Sequence, residues 1–390
     1  MRDTILLLWR VRLRRSPARI VALVLLIALG GGVFLAVAAG ARRTAAAYDE
    51  VADATDAAEL GSSYVRDDLE TLSALVETMP AVDAFTQVVG FQVSVADAPL
   101  GGMTSFAYYT DPLVVDRPIV LEGRLPRAAD EAFVNEAGAT GAGASVGEEI
   151  EIVIATPDFT EFTPETVTVV GIGAFADEVY EDETGAKPTL VLADEFVATH
   201  RDLIAWGALV VAVAPDAGGA DVVAQMLDAG LTIDNDRRAD RDRARAAIRP
   251  LALTLAVLAL LAGLAMIIVV GQALRRLVRR TPAEARSLAA AGCSRRMLLA
   301  ADMGVVLTVA VAGIVGALGV AVLASPLFPQ GRARRIPALR GFDIDVTVLG
   351  FGALALLLAL TALVAATSAA QPAELIQARD AIDVLVLAII

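Results

Sequence analysis

Four stretches of the chain carry no charge at all. Residues 20–41 read IVALVLLIALGGGVFLAVAAGA, and residues 251–274, 303–328 and 346–370 repeat the pattern over 24, 26 and 25 positions. At 1.5 Å per residue, about 20 apolar residues cross roughly 30 Å of hydrocarbon, so each run predicts a transmembrane helix. The first run follows arginines and ends in small residues, as a cleaved signal peptide would. Its length exceeds the roughly 7 to 15 apolar residues of a signal peptide, which favours a membrane anchor.

Between the first two runs the pattern changes. Residues 44–79 are rich in Ala, Asp, Glu and Leu at helix-like spacing. Short runs of β-type residues follow at 85–95, 133–135, 149–154, 166–172, 189–192 and 209–213. Helical pieces interrupt them at 194–201 and 216–229, the second followed by Gly230 as a cap. Residues 234–249, DNDRRADRDRARAAIR, lead into the second run. The pairs Asp234–Arg238 and Arg238–Asp242 stand four apart, and Asp240–Arg243 and Asp242–Arg245 three apart, as on a solvated helical stalk. A calcium loop is the alternative, but the Gly and Glu that an EF-hand needs at its sixth and twelfth positions are missing. The fold class expected is a membrane protein of four transmembrane α-helices with a large α+β extracytoplasmic domain between the first and second.

Charge sets the orientation. Residues 1–19 carry +5 and the link between the second and third runs also carries +5, whereas residues 42–249 carry 38 acidic and 14 basic groups, −24 in net charge. Arginine-rich ends stay inside and long domains cross regardless of charge. The expected order is a cytoplasmic basic N-terminus (1–19), span one (20–41), an extracytoplasmic domain with stalk (42–249), span two (250–274) and a cytoplasmic segment (275–302). Span three (303–328), an outer loop (329–345), span four (346–370) and a cytoplasmic tail (371–390) complete it. This is a multi-pass cell-membrane protein with both termini in the cytoplasm. Arg332, Arg334, Arg335 and Arg340 in the outer loop run against that trend.

Composition narrows the chemistry. Of 390 residues 56% are hydrophobic, and the mean hydropathy is +0.64. A single Cys293 and a single His200 leave no basis for a disulfide framework or a His-rich metal site. The net charge of −14 argues against nucleic acid as a partner. The only lysine, Lys187, precedes Pro188, so no phosphate-binding loop of the Gly-Lys-Ser/Thr type exists. The glycine run Gly141–Gly147 reads as a turn feeding a strand, and His200 as a surface or helix-end residue. Asp177, Glu178, Glu181, Asp182 and Glu183 read as a solvated loop before a cation site. No G-x-S-x-G elbow or HExxH helix occurs, and no cofactor is implied.

The spans are equally spare. Asp302, at the edge of the third, is the one charge there, which disfavours an ion-coupled pump. Small residues abound instead: Gly30, Gly31 and Gly32 in the first span, and Gly304, Gly313, Gly316 and Gly319 in the third. Ala312-x-x-x-Gly316 has the spacing that lets helix backbones approach.

The link after the second span carries the clearest local signal. Thr281-Pro282-Ala283-Glu284 is a capping box with proline at the first helical position. The helix it opens should run through Leu288 to about Ala290 and stop at Gly292. Flanked by arginines, it suits docking to another protein, and equally a surface of anionic membrane lipid.

This order of parts resembles the FtsX-like permeases of ABC transporters. EARSLAAAGCSRRMLLAADMGVV (284–306) is similar to the family's helix-loop stretch at Glu284, Leu288, Gly292, Arg295 and Arg296. Ala289 and Ala291 stand where arginine and leucine are common. AAGARRTAAAY (38–48), EGRLPRAADEAFVNE (122–136), VVGIGAF (169–175), IRPLALTL (248–255) and SPLFPQGRARRIPALRGFDIDVTVLGFGA (325–353) resemble the large actinobacterial-type branch. The likeness covers most of the chain and is weakest over 60–115.

The resemblance implies a permease that pairs with a separate ABC ATPase subunit, whose hydrolysis moves the outer domain through the spans. Thr281, Glu284, Leu288, Gly292, Arg295 and Arg296 would then couple to the ATPase, with Leu288 as the principal contact. Large-branch members carry a second, similar half. This chain is accordingly expected to work as a dimer with itself or a similar half, or to be a truncated piece. The alternative function is a non-transport scaffold or sensor that regulates an outer partner such as a cell-wall hydrolase, for which FtsX itself is the precedent.

Overall fold

The computed structural model describes residues 2–15, 17–64, 69–95, 102–109, 113–179, 187–278, 284, 287, 288, 290–335 and 339–369. The principal helices are α1 (Arg2–Arg15), α2 (Pro17–Thr55), α3 (Leu69–Glu77), α4 (Glu136–Ala142), α5 (Asp194–Thr199), α6 (Gly219–Asp228), α7 (Arg237–Val278), α8 (Arg295–Ala324) and α9 (Val346–Ala369). The strands are β1 (Leu60–Tyr64), β2 (Val82–Val95), β3 (Gly102–Tyr108), β4 (Ile119–Gly123), β5 (Glu131–Asn135), β6 (Glu149–Ala155), β7 (Phe162–Ala174), β8 (Thr189–Leu192), β9 (Ile204–Val213) and β10 (Asn235–Asp236). The described residues divide into two compact units. Those within 1–42, 252–328 and 341–390 form a helical unit, and those within 43–251 and 329–340 form a sheet unit.

Four helices, α2, α7, α8 and α9, are long and apolar enough to cross a membrane. In the helical unit their inward faces bury Leu23, Ile27, Leu35, Val270, Val306, Val309 and Leu360. Their other faces leave Leu29, Leu260, Val315, Leu323 and Phe351 exposed, as helices solvated by lipid require. Apolar side chains gain nothing by leaving lipid, so helix association there depends on close packing. Glycine supplies it. A Cβ added at Gly32 or Gly313 would stand 2.5 Å from the Cβ of Val320 or Ile27, and one at Gly316 2.7 Å from that of Ala28. The close face of α8 is therefore Gly313, Gly316 and Ala317. The motif expected at Ala312-x-x-x-Gly316 is half right, because Ala312 is exposed.

In the sheet unit six strands close on themselves in the order β2, β3, β8, β5, β7, β6 and back to β2. The pairs β3–β8 and β5–β7 are parallel and the others antiparallel, so the sheet is mixed. β6 shows why the ring closes around an apolar centre. Ile150, Ile152 and Ile154 are buried while Glu149 and Glu151 face out, the period-two pattern of a half-buried strand. Phe91, Val93, Val169, Leu190, Leu192 and Phe196 fill the same core.

The first half of β2 leaves the ring and pairs with β9, which continues to β1 and β10. Leu209 and Val211 of β9 pack with Val76, Val222 and Met226 of the neighbouring helical segments. The intervening Val210 faces the other way, against Ala58 and Val115.

Several elements depart from the sequence reading. The stretch 44–79, expected to be helical, is broken by β1, because Leu60 and Gly61 pair with both β9 and β10. β3 and β4 were not foreseen, since their residues alternate weakly and their order comes from β2, β8 and β7. The stalk helix begins at Arg237. Asp234 lies before it and accepts the Ser63 N–H at 2.6 Å, so the expected Asp234–Arg238 helical pair is absent. Asp240–Arg243 and Asp242–Arg245 do pair, at 2.7 and 3.6 Å.

At Gly90 the β2–β9 register shifts by one residue and the Trp206 ring lies directly across the glycine, where any Cβ would overlap it. Gly90→Val should therefore destabilise the full-length protein by about 1–3 kcal/mol, the usual cost of overpacking. A lowered thermal midpoint in detergent checks this; an unchanged midpoint would mean the ring can leave at no cost.

Glu131 opens β5 and binds Arg124 through both oxygens, at 2.5 and 2.6 Å, and the N–H groups of Arg127 and Ala128. The Arg124 hydrogen bonds, aided by those two N–H groups, lower its pKa from 4.5 to about 2. A depressed carboxylate pKa stabilises the fold above the unfolded value and ceases to do so as pH falls through the folded one. The stabilisation from Glu131 should therefore be lost between about pH 4.5 and pH 2. Glu131→Gln should lower the midpoint at pH 6 and converge on the wild type at pH 2.

Candidate functional site

The residues proposed from the sequence for coupling lie around the start of α8. Glu284 and Leu288 are helical, the first exposed and the second half-buried. The helical stretch ends where the Cys293 N–H donates to the Leu288 carbonyl at 3.0 Å, with Gly292 left-handed at φ 82°. That is a Schellman stop, and glycine meets its positive φ without Cβ strain. Ser294 then accepts from the Met297 N–H at 3.3 Å and caps α8. Gly292 and Ser294 thus turn the chain from one helix into the next within three residues. Arg295 and Arg296 form the first turn of α8. Thr281, with the capping box it was assigned, lies outside the described residues.

Four side chains bind α1 to α8, a contact that sequence reasoning missed. Asp302, read as a lone charge, forms an ion pair with Arg12, their side chains 7% and 25% exposed. Trp9 donates from Nε1 to the Thr308 hydroxyl at 3.1 Å, and its ring covers Gly304. The segment 1–19, taken only as a basic terminus, therefore contains a packed helix with Leu6, Leu7 and Val11 on its open face. The one available signal was the single carboxylate, Asp302, at the edge of the third run.

The sheet unit holds a second constellation. Arg237, Arg241 and Arg245 recur every four residues on α7 and so share one face. Arg237 pairs with Asp116, and Arg245 with Asp49 at 2.5 Å. Arg241 donates to the Ala57 carbonyl at 2.7 Å and stands 3.9 Å from Glu59. Asp116, at φ 57°, accepts the Ala58 N–H at 2.8 Å, and its neighbour Arg117 pairs with Asp56. The arginines expected to project into solvent therefore bind the end of α2 and the chain that follows it. Their four-residue recurrence was visible, but only the fold supplies the acceptors.

The remaining candidates take structural roles. The buried Asn135 caps α4 by accepting from Gly138 at 2.7 Å, accepts from Thr189, and donates to the Lys187 carbonyl and to Glu178. Glu178 also accepts the Phe175 N–H at 3.1 Å, which occupies this member of the acidic run. Glu181, Asp182 and Glu183 lie outside the described residues. His200 ends α5, stacked on Phe196 with ring centres 4.0 Å apart. Gly143 and Gly147 end α4 and turn into β6, with no nucleotide-like geometry. Among the described residues no group of three His, Cys, Asp or Glu side chains could hold a metal ion.

No family model matches the sequence, and no curated protein matches it. Solved structures that are similar in part include the following two. The extracellular domain of the noncanonic ABC-type transporter YknZ from Gram-positive bacteria is 10% identical at a TM-score of 0.28, over 44% of this chain and 90% of that one. The periplasmic region of MacB from Actinobacillus actinomycetemcomitans is 13% identical at a TM-score of 0.29, over 45% of this chain and 80% of that one.

Removing one partner of a shielded ion pair costs more than replacing both by apolar groups, because the remaining charge loses the interaction that offset its desolvation, up to about 3–5 kcal/mol. Arg12→Ala should therefore lower the thermal midpoint in detergent more than the double variant Arg12→Met/Asp302→Leu. Equal effects would mean that the pair contributes packing alone.

Proposed function

We propose that this chain is the membrane permease subunit of an ABC transporter, coupling ATP hydrolysis on a separate chain to movement of its sheet unit. The observation that carries the reading is that α2 and α7 each supply residues to both units. In the sheet unit the arginine face of α7 ties the same two helices' ends together. A movement of either helix is then a movement of groups in both units. In this reading ATP hydrolysis falls to a partner chain, in agreement with the lack of a Gly-Lys-Ser/Thr loop in the sequence, and the chain itself is not an enzyme.

The turn at Gly292 is the proposed contact for that ATPase. Half-buried Leu288 and exposed Glu284 are accessible at its rim. Arg295 and Arg296 stand in the first turn of α8. In this reading the sheet unit lies outside the cell membrane, both termini lie in the cytoplasm, and the subunit acts as a dimer with itself or a similar half.

The test is mild-detergent purification from native membranes, with identification of the chains that co-purify. An ATP-binding cassette subunit in stoichiometric amount is expected. Leu288→Asp should reduce its recovery about thirtyfold, the equivalent of a 2 kcal/mol interface anchor, while leaving membrane insertion intact. Unaltered recovery would remove the coupling role from this helix. Recovery with outer partners alone would favour the scaffold or sensor.

A further inference from the structure

A cleft of about 410 Å³ opens in the helical unit between the first turns of α2 and the last turns of α7. Its rim carries two guanidinium groups, Arg19 and Arg276, both exposed. Its wall is apolar, made by Leu23, Leu26 and Leu277, with Ala22 and Ala273 leaving room between them. Among the described residues no carboxylate lines it. Neither arginine has an ion-pair or hydrogen-bond partner among the described residues. Two like charges facing one cleft repel each other unless an anion stands between them.

We infer that this cleft binds one anionic phospholipid, its phosphate between Arg19 and Arg276 and an acyl chain against Leu23, Leu26 and Leu277. Each half of the site selects against a simpler ligand. A free phosphate ion would leave the leucine wall unused, and a purely apolar molecule would leave the two arginines uncompensated. A zwitterionic lipid brings its own cation to a rim already carrying two. Val21, Leu25 and Leu29 on α2 and Ile268 and Val269 on α7 are also exposed, so the surroundings of the cleft are themselves suited to acyl chains. Arginines at the ends of apolar helices sit at headgroup level whichever way the chain is inserted. The site therefore depends neither on the orientation nor on the permease reading.

Native mass spectrometry of the full-length protein in detergent, titrated with phosphatidylglycerol and separately with phosphatidylcholine, tests the assignment. One phosphatidylglycerol should bind in preference. A cation at an anionic lipid surface contributes about 1 kcal/mol, or roughly fivefold, so Arg19→Gln/Arg276→Gln should weaken binding about 25-fold. Arg14→Gln/Arg275→Gln removes two exposed arginines from outside the cleft lining and should bind as the wild type does. Equal loss in both double variants would reduce the effect to general surface charge and overturn the site. Competition by glycerol phosphate as effective as by the lipid would mean a free-phosphate site, which also overturns it. Binding that emerges only after deletion of residues 371–390 would mean that the chain's own tail fills the cleft. If the double variant does not fold, wild-type protein showing no preference for phosphatidylglycerol over phosphatidylcholine would overturn the proposal.

Discussion

Two helices, Pro17–Thr55 and Arg237–Val278, have to satisfy two different surroundings along their length, and the rest of the chain is arranged around that constraint. Where they are apolar outside, their backbone polar groups are satisfied internally and burial offers no gain over lipid. Cohesion then rests on shape. Glycines at 32, 313 and 316 let the first and third apolar helices approach to a separation that a Cβ would forbid. Where the same helices belong to the sheet unit, cohesion changes in kind. Arginines of the second reach carboxylates and carbonyls at the end of the first and in the chain beyond it.

The charge distribution follows from this change. The stretch 42–249 is strongly acidic, and several of its arginines are held by named acceptors. Arg124 is bound by Glu131, Arg237 by Asp116, and Arg245 by Asp49. The loop 329–345, whose arginines run against the positive-inside trend, belongs through residue 340 to the sheet unit. Arg340 lies 3.1 Å from Glu136, and Arg43 donates to the Leu339 carbonyl at 2.7 Å. Such exposed pairs contribute less than about 1 kcal/mol each, so they direct the loop more than they stabilise it.

At the end of the helical unit near α1 the economy of charge is tighter. Asp302, at the edge of the third apolar run, is bound by Arg12. The arginines that remain without a carboxylate partner among the described residues include Arg19 and Arg276, and these face one cleft. Charge left over after internal pairing is where a ligand is to be sought.

Much of this was readable from the order of residues. Four apolar runs determine four long helices, because a charge-free stretch of that length has no other stable place for its backbone. The β-type runs at 149–154 and 166–172 marked two strands, and Gly292 a helix stop, since these depend on neighbours a few positions away. What only the tertiary structure decided is which distant groups meet. The strand at 60–64, inside a helix-like composition, exists because β9 and β10 pair with it. The arginine face of α7 could be read, but its acceptors at 49, 57 and 116 lie about 120 to 200 residues away in the chain. The closure of six strands around one core, the Arg12–Asp302 pair and the two-arginine cleft share that origin. Local periodicity records whether a residue is buried, and carries no record of its partner, which is set by how the whole chain packs.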